Sequence, residues 1–160
     1  MDNKKKRPRW VGVLVSSVLI VLIVPVVPFV LAGYFLHRFF LLFVIWLRWC
    51  MRGRRVLFVY SNSPVWQDYV EQRILPRLPE RSIVMNWSDR GKWNRFTLPA
   101  QAFFCWGGDK KFNPLGVVFR PFRKPLVFRF WEPFIQYKHG KPEALIKLER
   151  EMFESILNNC

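Results

Sequence analysis

The residues best suited to chemistry are few and short-chained. Ser61, Asn62 and Ser63 follow one apolar run, Val56–Tyr60, and Asn86, Ser88, Asp89 and Arg90 sit at and beyond the end of a second, Ser82–Trp87. Together they offer hydroxyls, amides, a carboxylate and a guanidinium, a set able to orient a polar ligand or hold an anion. His139 is the one histidine outside the apolar N-terminal segment. A catalytic histidine needs an orienting acid and a nucleophile within reach, for which Glu132, Asp89 and Ser61 are the available residues. No Ser–His–Asp order, carboxylate pair, phosphate-binding glycine loop or metal-ligand spacing accompanies them. Each therefore also has a plainer role: Ser63 as a helix cap, Asp89-Arg90 as a solvated turn, His139 as a loop residue. No metal and no cofactor is expected.

For the two loops to meet, the two apolar runs must be neighbouring parallel strands, whose carboxyl ends are where open α/β sheets bind ligands. The pattern supports this. Val56–Tyr60 is continuously apolar, as in a buried strand. Ser63-Pro64 suits the cap and first residue of a helix over 64–75, which Pro76 and Pro79 end. Ser82–Trp87 is the second strand. Lys92 to Trp106 carries a broken helical pattern. Leu115–Phe119 and Leu126–Trp131 are strands joined by a linker short enough for a hairpin. Pro142–Leu157 is an amphipathic helix whose buried face comprises Leu145, Leu148, Met152 and Ile156 with Ile146, Phe153 and Leu157.

The order βαβαββα over 56–157 resembles the thioredoxin-like fold, a small three-layer α/β domain. In that family the first helix begins in a Cys-x-x-Cys motif, where this chain has Ser61-Asn62-Ser63-Pro64. A proline, characteristically cis, precedes the family's third strand, and Asn113-Pro114-Leu115 looks similar. The alternative is a minimal Rossmann-like sheet, although no Gly-x-Gly-x-x-Gly turn follows the first strand.

Ahead of this domain, at 56–160, lies a membrane anchor over 10–50 and a basic leader over 1–9. From Trp10 to Leu36 there is no charged side chain, which reads as a membrane span. His37 and Arg38 interrupt, and Phe39–Leu47 is apolar again. A two-helix hairpin turning at Ala32-Gly33-Tyr34 places both flanking basic clusters on one side, as the positive-inside tendency asks. Trp10–Leu31 forms its first arm, about 33 Å long at 1.5 Å per residue, kinked at Pro25 and Pro28. Trp10, Tyr34, Trp46 and Trp49 sit where interfacial aromatics belong. The alternative is one span plus an interfacial helix.

The formal net charge is +15, and residues 1–55 carry ten Lys/Arg against one acid. That excess beside the apolar run points to a bilayer with anionic headgroups, with a membrane protein as a further partner. Because the membrane accounts for most of the charge, nucleic acid is not an expected partner. Cys50, Cys105 and Cys160 are scattered and unpaired in spacing, which suits a reducing compartment. The chain thus reads as an integral protein of the inner membrane, its domain in the cytoplasm, serving as a binding or scaffolding module. The alternative is a membrane-bound enzyme acting on a phosphorylated or lipid-linked substrate. Thiol–disulfide exchange needs a thiolate, and the loop after the first strand has none. Purified protein is therefore expected to show no thiol-dependent turnover in a disulfide reductase assay; turnover would overturn the reading of the Ser61–Ser63 loop.

Overall fold

The structure is a computed structural model describing residues 9–107, 113–121 and 123–158, with side chains from residue 24 onward. Leader residues 1–8, the side chain of Trp10, and Cys160 lie outside the described residues. The chain divides into two compact units, Met1–Phe40 and Leu41–Cys160.

The first unit is helical. Helix α1, Arg9–Arg48, is a single 40-residue helix with Pro25 and Pro28 inside it. At 1.5 Å per residue it is about 60 Å long, roughly twice a hydrocarbon core. The turn expected at Ala32-Gly33-Tyr34 does not form, so α1 is one helix and not two arms. A lone glycine costs a helix only about 1 kcal/mol, and no polar residue beside Gly33 competes for the backbone. In apolar surroundings an unbroken helix also keeps the backbone groups paired. Val24–Leu36 is exposed along its length, and the described helix is long and apolar enough to cross a membrane. Arg38 folds back one turn, in the direction helical side chains lean. Its Nη1 donates to Tyr34 Oη at 2.6 Å, and its guanidinium stands 5.5 Å from that ring's centroid.

The second unit is built on a four-stranded mixed sheet. Strands β1 (Val56–Tyr60), β2 (Ile83–Asn86), β3 (Leu115–Val118) and β4 (Leu126–Arg129) lie in the order β2-β1-β3-β4. β1 and β2 are parallel, with Tyr60 opposite Asn86. β3 is antiparallel to β1 and to β4. The Asn113–Pro114 bond before β3 is cis. A parallel pair needs a crossover, here the helical segment 67–77: α2 (Gln67–Tyr69), a π turn (Val70–Ile74) and a 3-10 turn (Leu75–Arg77).

Alternation along β1 sends Val56 and Phe58 to one face, Leu57 and Val59 to the other, and all four are buried. The first face is covered by segment 67–77, α4 (Trp131–Lys138) and α5 (Glu143–Leu157), through Val70, Ile74, Phe134, Leu145, Met152 and Ile156. The second is covered by α3 (Leu98–Ala102), the following π turn (Phe103–Gly107) and the last turns of α1. Leu41, Ile45, Trp49 and Cys50 pack there with Phe103, Trp106 and Phe119. Trp49, expected at a membrane interface, is 5% exposed and meets Phe119 edge-on.

Several expected elements move. The helix expected over 64–75 begins at Gln67, because Ser63 O accepts from both Trp66 N and Gln67 N and makes a turn first. The broken pattern over 92–106 resolves into a 3-10 turn, Trp87–Lys92, then α3 and its π turn. α4 occupies a stretch expected to be strand end and loop. On α5, Ile146 and Leu157 are exposed, while Glu149 lies on the buried face.

Placing α1's last turns in the core has a measurable consequence. Ile45→Ala in the full-length protein should cost about 2–5 kcal/mol of domain stability, read by denaturant titration in detergent. Phe39→Ala, at a residue 70% exposed, should change it little. Equal, small effects would show that the helix end is not part of the core.

Candidate functional site

The parallel pairing of β1 and β2 brings the predicted loops to one sheet edge. Asn62 N donates to Ser88 Oγ at 3.0 Å, Asn86 Nδ2 donates to Asn62 Oδ1 at 2.5 Å, and Ser88 N donates to Asn86 Oδ1 at 2.9 Å. Trp66 Nε1 donates to both the carbonyl and Oγ of Ser61, each at 3.2 Å. Ser63 Oγ accepts from Val65 N only at 3.5 Å. Short side chains at the ends of adjacent parallel strands can reach one another, so these polar groups close on each other and latch the two loops.

Asp89 and Arg90 belong to the same loop and point their charges elsewhere. Lys92 Nζ lies 3.0 Å from Asp89 Oδ1, an exposed pair worth little. Arg90 stacks over Trp87 at 5.2 Å and donates to its carbonyl. His139 is exposed at the end of α4, and among the described residues no hydrogen bond or ion pair joins its imidazole to the loop cluster. Ser63 does not open a helix: its carbonyl closes a turn with Trp66 N and Gln67 N, and the helical segment begins at Gln67. Among the described residues, no three His, Cys, Asp or Glu side chains gather where a metal could bind.

Sequence reasoning missed two features. Asn113 is 7% exposed at the start of β3, and its Oδ1 has no partner among the described residues. Antiparallel pairing of Leu115 with Val59 puts it at the same sheet edge as Ser61. The second feature is a polar network in an open groove of about 690 Å3 between segment 67–77 and α5. Glu149, 8% exposed, accepts from Tyr69 Oη at 2.7 Å and pairs with Arg77. Arg77 also covers the Phe153 ring at 4.1 Å. Burial, then the hydrogen bond and charge of Glu149, push the Tyr69 hydroxyl from 10.0 up to about 12. The signal was present: Glu149 stands four residues after Leu145 and three before Met152, in phase with the apolar face.

Compared with protein-family models, curated proteins and solved structures, the chain matches none.

The Tyr69 network predicts a pH dependence. A tyrosine whose folded value lies above its unfolded one contributes stability that is complete below pH 10 and lost as pH rises toward 12. Unfolding titrations across pH 9–12 should show this loss in the native protein and a shallower one in Tyr69→Phe. Superimposable profiles would remove Tyr69 from the network.

Proposed function

We propose that the chain is a membrane-anchored α/β binding or scaffolding module on the cytoplasmic face, of thioredoxin-like fold and lacking a thiol pair. The observation that carries this reading is the closed hydrogen bonding at the sheet edge, where Asn62, Asn86 and Ser88 hold one another. Groups so engaged shape a surface and are poorly placed to activate a substrate. The fold assignment draws support from the strand order and the helical crossover between β1 and β2. An antiparallel strand at the sheet centre is foreign to a Rossmann-like arrangement.

The anchor is one span within α1 followed by an interfacial stretch from His37. A single crossing separates Lys4, Lys5, Lys6, Arg7 and Arg9 from Arg38, Arg48, Arg52, Arg54 and Arg55, so flanking charge does not choose a side. The reading of a cytoplasmic domain rests on Cys50, Cys105 and Cys160 being scattered in the sequence with no paired spacing, which suits a reducing compartment. Burial raises the Cys50 thiol above its usual value and makes it a poor nucleophile.

Alkaline carbonate should leave the protein in the membrane pellet, and a membrane-impermeant thiol reagent should label Cys105 and Cys160 only after cells are opened. Release into the supernatant would refute the anchor. Labelling in intact cells would place the domain outside.

A further inference from the structure

A second site lies at the opposite end of the sheet, where β1 and β2 begin. Arg52, Arg54, Glu80, Arg81, Ser82 and Ile83 line an open cleft of about 570 Å3. Its geometry is set from the core outward. Gly53 takes φ +74°, a conformation glycine adopts at no steric cost. Gly53 N donates to Cys50 O at 3.1 Å and Arg54 N to Trp49 O at 2.9 Å, tying the turn to two buried residues. Arg81 crosses over that glycine, its Cδ and Nη1 each 3.6 Å from where a Cβ would stand, and Nη1 donates to Arg52 O at 3.1 Å. The backbones carrying the three arginines are thus held together while their side chains stay exposed. Among the described residues no ion pair neutralises Arg52, Arg54 or Arg81, and Glu80 pairs with none of them. In the same lining, Ser82 Oγ is a buried hydroxyl with no partner among the described residues.

We propose that this cleft binds a phosphomonoester. Three arginines against one glutamate leave two positive charges, which match the roughly −1.5 to −2 of a phosphomonoester. A phosphodiester, with one charge, would leave the cleft half neutralised. The guanidinium fork pairs with phosphate oxygens two at a time. The phosphate comes either from a lipid headgroup of the phosphatidic acid type or from a soluble ester. Arg52 follows the end of α1 by four residues, so a headgroup source deepens the membrane-anchored reading and rests on it, whereas a soluble source does not.

The test uses the full chain in two formats. Calorimetry in detergent measures binding of glycerol 3-phosphate. Native mass spectrometry of protein released from nanodiscs measures retention of phosphatidic acid over phosphatidylglycerol. Binding in either format should weaken about tenfold in Arg54→Gln and in Arg81→Gln, as expected for loss of one charge-assisted hydrogen bond. Arg81→Lys, which keeps charge and loses the fork, should fall between. Arg90→Gln, an equal charge change on another loop, should leave binding unchanged. Glycerol phosphate binding with this pattern supports a soluble ligand, and lipid retention alone with this pattern supports the headgroup. Binding in neither format, or equal weakening by Arg90→Gln, overturns the proposal. Carbonate release would refute the anchor alone, leaving calorimetry to decide the cleft.

Discussion

The structure depends on the absence of a polar face on β1. Val56, Leu57, Phe58 and Val59 are each at most 2% exposed, so both sides of the strand must be covered. Burying an aliphatic or aromatic side chain of this kind is worth about 1.5–3 kcal/mol, and an uncovered face would forfeit several such terms at once. One cover comes from segment 67–77, α4 and α5. The other cannot be built from α3 and its π turn alone, which are short, and the chain completes it with Leu41–Cys50. The same constraint shapes β3, where Gly116 leaves room for Met152: a Cβ there would lie 2.7 Å from the methionine sulfur.

Around this apolar frame, polar groups fall into three physical situations. At the carboxyl ends of β1 and β2 they satisfy one another. In the groove beside α5, a nearly buried carboxylate is held by a phenol and by an arginine that is itself half exposed. A buried carboxylate without partners would be costly, which accounts for Tyr69 and Arg77 both converging on Glu149. At the strand beginnings, Arg52, Arg54 and Arg81 stand in solvent with no ion pair among the described residues, gathered by the turn at Gly53 and by the Arg81 hydrogen bond to the Arg52 carbonyl.

The elements legible in the sequence were those with an unmistakable period. β1, β3 and α5 appear where continuous apolar runs or three-and-four spacing placed them. The meeting of the Ser61 and Asn86 loops was legible too, because it follows from one parallel pairing. α4 was not, since Trp131-Glu132-Pro133 follows a strand directly and its eight residues are too few to display a helical period. Ser63-Pro64 resembled a helix start, but Ser63 uses its carbonyl to close a turn, and propensity does not report that. π turns at 70–74 and 103–107 have no sequence signature comparable to a heptad. The unbroken course of α1 was hidden by reading Gly33 as punctuation in a stretch where nothing else competes with helix. Glu149 was passed over because a charge is assumed to face water.

Because Leu41–Cys50 serves the domain, the domain's true boundary lies inside the apolar helix. Chains are made from the amino end, so these residues leave the ribosome well before Val117 and Phe119, the residues they will cover. For that interval Leu41, Ile45 and Trp49 have no sheet to rest on. The second face of the sheet therefore cannot close until Leu41–Cys50 and residues 117–119, far apart in the chain, have both been made.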